Sequence, residues 1–326
     1  MWLLACAAPD DPRELPLRWV RGADESWEMA EQGLWWDLAN AGVVPGELAD
    51  VVAGDDEATF TLTVPDTDAW TEAIAPLRES DEVAERGAMD VGRFLALTVF
   101  APARYYALTG ACATRAEWEA RLLRDVETYT VTESLLVEGS REVRFDVGSL
   151  AFASTEGHGE HEVVDVMENG QQRFAVYGED GALLPYAATS PAGQPGRCMW
   201  CHEGAVQRGH PDNPGYAAFV ARVEVVDAEM AARRAAWPVE IGVEAHEWGE
   251  WLVLQFLEPS PERVAREGLD VPDLPAHVHE EYPGWGPLYR RADVDAHAEF
   301  EPLPVPADVR EPADDVTLEG LEARCE

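Results

Sequence analysis

The residues best suited to chemistry are R-C-M-W-C-H-E at positions 197–203. Cys198 and Cys201 are separated by two residues and followed at once by His202, the C-x-x-C-H pattern of haem attachment. Two thiols at this spacing reach the two vinyl groups on neighbouring edges of a porphyrin. The thioether links then hold the histidine beneath the iron as an axial ligand. The same residue types have other uses. With His210 they offer four N/S donors to a zinc ion, although structural zinc sites usually pair two knuckles and no second Cys knuckle exists. A redox dithiol would sit at a helix start after the first strand of a small βαβ unit, which a pair late in a sheet-rich stretch does not match. A plain disulfide or unmodified thiols are the remaining alternatives.

On these residues the chain resembles the c-type cytochromes. The resemblance covers about seven residues and implies one covalent haem c, with Cys198 and Cys201 forming the thioethers and His202 as proximal ligand. It also implies export, because such haem is attached outside the bacterial cytoplasm. Small all-helical cytochromes place the motif near the N-terminus, whereas here it comes late and follows strand-like sequence. The order R-F-A-V-Y-G-E-D-G, then C-M-W-C-H, is similar to the cytochrome P-460 family, a β-rich group of haem enzymes. That family's hallmark is a lysine cross-linked to the porphyrin. This chain contains no lysine, so the likeness extends to the fold alone.

Several residues compete for the sixth iron position. His246 opens the run A-H-E-W-G-E-W, which is not a zinc-protease helix because Glu250 stands where H-E-x-x-H needs histidine. His210 lies in R-G-H-P-D-N-P, eight residues beyond His202. These two are the leading distal candidates. His277 and His279 alternate in A-H-V-H-E-E and read as a solvated loop. Met230 shares a helical stripe with Phe219, Val223 and Val226 and reads as core. Met89, in E-R-G-A-M-D, reads as a surface or loop residue.

The other cysteines bear on location. Leu3-Leu4-Ala5-Cys6 is similar to a bacterial lipoprotein cleavage box, which makes Cys6 a lipidation candidate, although the apolar stretch before it is shorter than the ~7–15 residues of a full signal. Cys112 and Cys325 remain, and in an oxidising compartment they are a candidate disulfide. The chain carries 63 Asp plus Glu against 24 basic residues, all Arg, for a net charge of −39. Such a surface is repelled by nucleic acid and by anionic lipid, and it favours a basic protein partner. An acidic, high-salt-adapted proteome explains the same charge as a matter of solubility. The acidic side chains are expected mostly on the surface. No apolar run approaches the ~20 residues of a membrane-spanning helix, so membrane contact is expected through a lipid anchor only.

The elements that must position the motif are α+β: an antiparallel sheet core flanked by helices, with the haem loop leaving the sheet. Trp19, Trp27, Trp35 and Trp36 have helix-like spacing. Residues 59–64 alternate as a strand, and residues 66–78 read as a capped helix. Residues 94–100 form an unbroken apolar run and read as a buried strand. T-R-A-E at 114–117 is a capping signature for the helix that follows. Residues 160–167 and 172–177 flank Asn169-Gly170, a hairpin signal. Helices are expected at 216–237, 244–257 and from Ser260-Pro261 onward. Residues 1–14 read as a truncated lipoprotein signal and tether. Residues 15–213 read as an α+β body ending in the haem-attachment loop, and residues 214–326 as a helical part with an acidic tail, packed on the same core.

The functional expectation is an exported, lipid-anchored monohaem c-type cytochrome of the periplasm or outer envelope, transferring electrons to a redox partner. Two alternatives stand beside it. One is a haem oxidoreductase or gas sensor with an open distal side, and the other is a zinc-stabilised, partner-binding lipoprotein.

Overall fold

The computed structural model describes residues 11–22, 25–132, 140–155, 159–187, 194–202, 204–208, 211–242, 244–257, 261–267, 289–291, 300–302, 312–313, 315–318 and 321–325. Among these the fold is α+β, with a mixed four-stranded sheet, an antiparallel five-stranded sheet and a two-stranded antiparallel ribbon.

Leu15, Leu17 and Trp19 alternate inward on β1 (Glu14–Val20), so Trp19 belongs to a strand rather than to the helix its spacing suggested. Helix α1 (Trp27–Asn40) follows, its first turn capped by the Ser26 hydroxyl. The strands β2 (Ala49–Ala53) and β3 (Glu57–Thr63) complete a four-stranded sheet in the order β2-β3-β1-β4, with β4 (Met89–Asp90) parallel to β1. Met89 is fully buried there, against the surface position read from its polar neighbours.

Between β3 and β4 run α2 (Asp68–Arg78), capped by Thr67, and α3 (Asp81–Arg86). The apolar run expected as a strand instead forms α4 (Val91–Leu97). A helix buried on every side is as uniformly apolar as a buried strand, so the pattern alone does not separate them. Asp90 decides it locally, accepting from the backbone N–H groups of Gly92 and Arg93 as an N-cap. Helices α5 (Pro102–Leu108) and α6 (Arg115–Leu122) come next, the latter opened by the Thr114–Glu117 capping box.

The second sheet is an antiparallel meander in chain order: β5 (Glu127–Val131), β6 (Arg141–Asp146), β7 (Ala151–Thr155), β8 (His161–Val166) and β9 (Gln172–Tyr177). Phe145 pairs with Phe152, Phe152 with Val164, and Val164 with Phe174, so these four side chains share one face. On the opposite face Arg173 grips Asp165 with two hydrogen bonds, and Trp118 of α6 donates its indole N–H to the same carboxylate.

The motif lies on α7 (Pro195–His202), a helix rather than a loop. Pro195 and Gly196 form the first turn of α7, where proline's missing N–H costs nothing. Helix α8 (Tyr216–Arg234) covers Phe145 and Phe152 and closes a second core cluster with Phe219, Val223, Val226 and the buried Met230. Helix α9 (Ala245–Leu257) joins the main core beside the N-terminal elements. Helix α10 (Pro261–Glu267) and a short β10 (Tyr289–Arg291)–β11 (Phe300–Pro302) ribbon follow. No helix among the described residues is long and apolar enough to cross a membrane.

A few of the acids are buried and paired with arginine. Arg18 bonds Glu82 and Glu267, Arg93 bonds Glu82 and Asp315, and Arg263 bonds Asp90. This network ties α10 and the tail to β1, α3 and α4.

Candidate haem-attachment site

Helix α7 begins with a close approach. A Cβ at Gly196 would lie 2.3 Å from the carbonyl oxygen of Val99, so glycine lets the first turn rest on the turn that ends α4. Met199 points into the main core, fixing the rotation of the helix. Positions 198, 201 and 202 stand at i, i+3 and i+4, which places Cys198, Cys201 and His202 on one side of α7.

Cys198 is half-buried beside Tyr105 and Tyr106 of α5, and its thiol donates to the Gln194 carbonyl at 3.9 Å. The side chain of Cys201 lies outside the described set. His202 rests against Phe174, with ring centroids 4.9 Å apart. Its burial pushes the imidazole down to about 4, so at neutral pH the ring is uncharged and keeps a lone pair for a metal. Its Nδ1 is buried and has no hydrogen-bond partner among the described residues.

The turn after His202 is held by three elements. Gly204 has φ +70°, and a Cβ there would lie 2.6 Å from Arg234 Nη1, 2.9 Å from Trp36 Cη2 and 3.4 Å from Gln171 Oε1. The β8–β9 turn brings Gln171 into place. Asn169 donates its amide to the carbonyls of Ala39 and Val43 at the end of α1, and Trp237 donates to the Asn169 carbonyl. The side-chain polar atoms of Gln171 and Gln172, and Trp36 Nε1, are buried without a hydrogen-bond partner among the described residues.

This set fits a covalently held haem. It combines a thiol position and a neutral imidazole on one helix face, an aromatic wall, and buried polar groups that still have hydrogen-bonding capacity. In that arrangement Cys198 and Cys201 would hold the ring and His202 the iron.

The remaining sequence candidates are spread out. His246 is buried on α9, its ring 6.1 Å from Trp36 and its Nε2 4.0 Å from Glu247. Trp36 therefore links it to the Gly204 turn. Cys112 and Cys325 form a disulfide that fastens the tail to the loop before α6. Cys6, His210, His277 and His279 lie outside the described residues. Sequence reasoning missed Trp36, Gln171, Phe174 and Arg234 as neighbours of the motif. Only the Asn169-Gly170 turn carried a local signal, and it gives no hint that the hairpin docks on α1.

Comparison with family models, with curated proteins and with solved structures finds no match to this chain.

Proposed function

We propose that this protein is an exported monohaem c-type cytochrome that passes electrons to a protein partner, tethered to the envelope by a lipid on Cys6. The observation that carries the reading is the i, i+3, i+4 spacing of positions 198, 201 and 202 along α7, with an uncharged His202 against Phe174. A haem bound there supplies a one-electron ferric/ferrous couple. The chain's own residues do the rest. The two cysteines anchor the ring, His202 ligates through a neutral nitrogen, and Phe174 and Met199 close the helix onto the core and keep water from that side.

Two further features support this reading. The Cys112–Cys325 disulfide fits an oxidising compartment. The charge of −39 suits a basic docking face on the partner and disfavours nucleic acid. The test is expression with export in a host that matures c-type haem, followed by spectra of the oxidised and reduced protein with and without carbon monoxide. A carrier with both axial positions filled gives a low-spin ferrous haem that binds carbon monoxide slowly or not at all. Rapid binding would instead assign a haem enzyme or gas sensor. If His246 is the distal ligand, His246→Ala converts the ferrous haem to high spin; an unchanged spectrum removes it from contention.

A further inference from the structure

The five-stranded sheet treats its two edges differently. Along β9 the outward groups are taken up. Phe174 N–H donates to the Tyr105 hydroxyl, Val176 N–H to the Tyr106 hydroxyl, and Leu184 N–H to the Val176 carbonyl. The ladder then fixes what the other edge presents. In antiparallel pairing, residues whose N–H and C=O point to one neighbouring strand alternate with residues that point to the other. Met167 N–H donates to the Gln171 carbonyl at the β8–β9 turn, and the five strands pair in unbroken register. Counted across from β9, Tyr129 exchanges its bonds with Val143 of β6, and Thr128 and Thr130 point their N–H and C=O away from the sheet. Thr132 continues that outer row, its N–H donating to Asn213 Oδ1 at 2.7 Å. The outward backbone groups of Thr128 and Thr130 have no partner among the described residues.

A cavity of about 490 Å³ runs along this open edge. Residues 127 to 130 all line it, and four consecutive strand residues share one cavity only along a backbone edge, because their side chains alternate between faces. Opposite them α8 presents Gly215, Ala218 and Ala221, whose small side chains leave the space open. Its floor is aromatic: Tyr129 stacks on Phe219 at 4.1 Å, and Phe145 meets Phe219 edge-on at 5.4 Å. The β2 edge of the other sheet carries a bulge between Ala49 and Val52, a feature that discourages edge pairing. Strand β5 has neither bulge nor proline.

We infer that β5 and α8 form a docking groove for a short extended segment of a basic partner protein, added to the sheet as a further strand. Unpaired N–H and C=O groups along a strand edge are met best by another extended backbone, and the aromatic floor suits one apolar or aromatic side chain beneath it. Charge selects the partner. Arg222 is paired with Glu127 at 3.1 Å. Asp125 and Glu224, each two residues from that pair, and Glu142, which pairs with Thr130, are exposed. A second copy of the chain would bring the same acids together and is disfavoured. Such docking needs no haem, so it can fail while the reading above stands, and the reverse.

The test uses the full-length exported protein and a fluorescein-labelled, end-blocked peptide that alternates valine with threonine around one phenylalanine, with arginine at both ends. Fluorescence anisotropy gives its affinity, and amide hydrogen exchange gives its position. In the free protein the Thr128 and Thr130 amides should exchange fast while those of Tyr129 and Val143 are protected, and the peptide should slow the first pair. Thr130→Pro removes one outward N–H and no ladder bond, and it should weaken binding about five- to tenfold. Ala218→Trp fills the groove and should abolish binding, which covers the case of a proline variant that does not fold. No binding by the arginine peptide, equal binding after N-methylation of its backbone, or Thr128 and Thr130 amides already protected without it overturns the groove. Equal affinity for a peptide with glutamate in place of arginine overturns the basic partner. So does a dimer of the free chain that Thr130→Pro dissolves, which assigns the edge to a second copy.

Discussion

His202 and Phe174 lie with their ring planes inclined at 56° and their centroids 4.9 Å apart. Phe174 ends the cross-strand row that passes through Val164 and Phe152 to Phe145, and α8 covers the other end of that row. The motif helix and α8 therefore share one face of the five-stranded sheet, and this is how Arg234 comes to stand beside the motif. Phe174 is 3% exposed, so Phe174→Ala should cost about 3–5 kcal/mol as a core truncation. Urea unfolding of the two proteins measures it. A loss below 1 kcal/mol would mean that the ring does not bear on α7.

Helices α1 and α9 cross where both present glycine. A Cβ at Gly33 would meet the backbone N of Gly249 at 2.4 Å, and one at Gly249 would meet the Asp37 carboxylate at 2.5 Å. Gly33→Ala should force the helices apart and cost about 1–3 kcal/mol. Since α9 also packs on α7, haem incorporation should fall along with stability. Thermal denaturation of Gly33→Ala at or above the wild-type midpoint would contradict the close crossing.

Glu25 gives a pH prediction with a definite sign. Burial raises its carboxyl to about 7 from 4.5, against the opposing pull of the Trp19 indole and Gly22 N–H groups that both donate to Oε2. Below 4.5 the carboxyl is protonated whether the chain is folded or unfolded. Between 4.5 and 7 the unfolded chain releases the proton first, so stability falls as pH rises through that window. The loss amounts to roughly 3 kcal/mol. Glu25→Gln should flatten that part of the stability–pH curve. An identical slope in wild type and variant would show that the decline comes from other groups.

Much of this frame was legible in the sequence because its signals are local. The Thr114–Glu117 capping box, the Asn169-Gly170 turn, the helix start at Pro261 and the Met230 stripe are each set by neighbours a few residues apart. The motif itself was legible for the same reason. What was not legible depends on tertiary burial. The run from Val91 to Leu97 is apolar on all sides, so no period identifies it as a helix. Met89 has polar neighbours in sequence but pairs with Leu17 in the middle of the core. Asp37 and Glu250 look like surface acids and are fully buried. The approach of Trp36, Gln171 and Arg234 to Gly204 joins three distant segments, and no spacing rule connects them.

The disulfide between Cys112 and Cys325 spans 213 residues of chain. Cross-linking so long a loop restricts the unfolded ensemble and stabilises by about 2–5 kcal/mol. The Tyr177 hydroxyl donates to the Cys112 carbonyl, and Val316 is buried in the main core, so the tail is packed as well as linked. Cys325→Ser should lower the urea midpoint by a corresponding amount. Peptide mapping of exported protein without reductant should recover the two cysteines in one linked pair; finding both as thiols would refute the link.

The most direct test of the account asks whether haem is covalently attached through the motif. Wild-type protein exported from a host with c-type haem maturation is resolved by denaturing electrophoresis and stained for haem, beside the double variant Cys198→Ser, Cys201→Ser. The account predicts a haem band at the mass of the wild-type chain and none in the variant, because thioether bonds survive denaturation. A wild-type chain without covalent haem, above all one carrying a stoichiometric zinc ion, would contradict it.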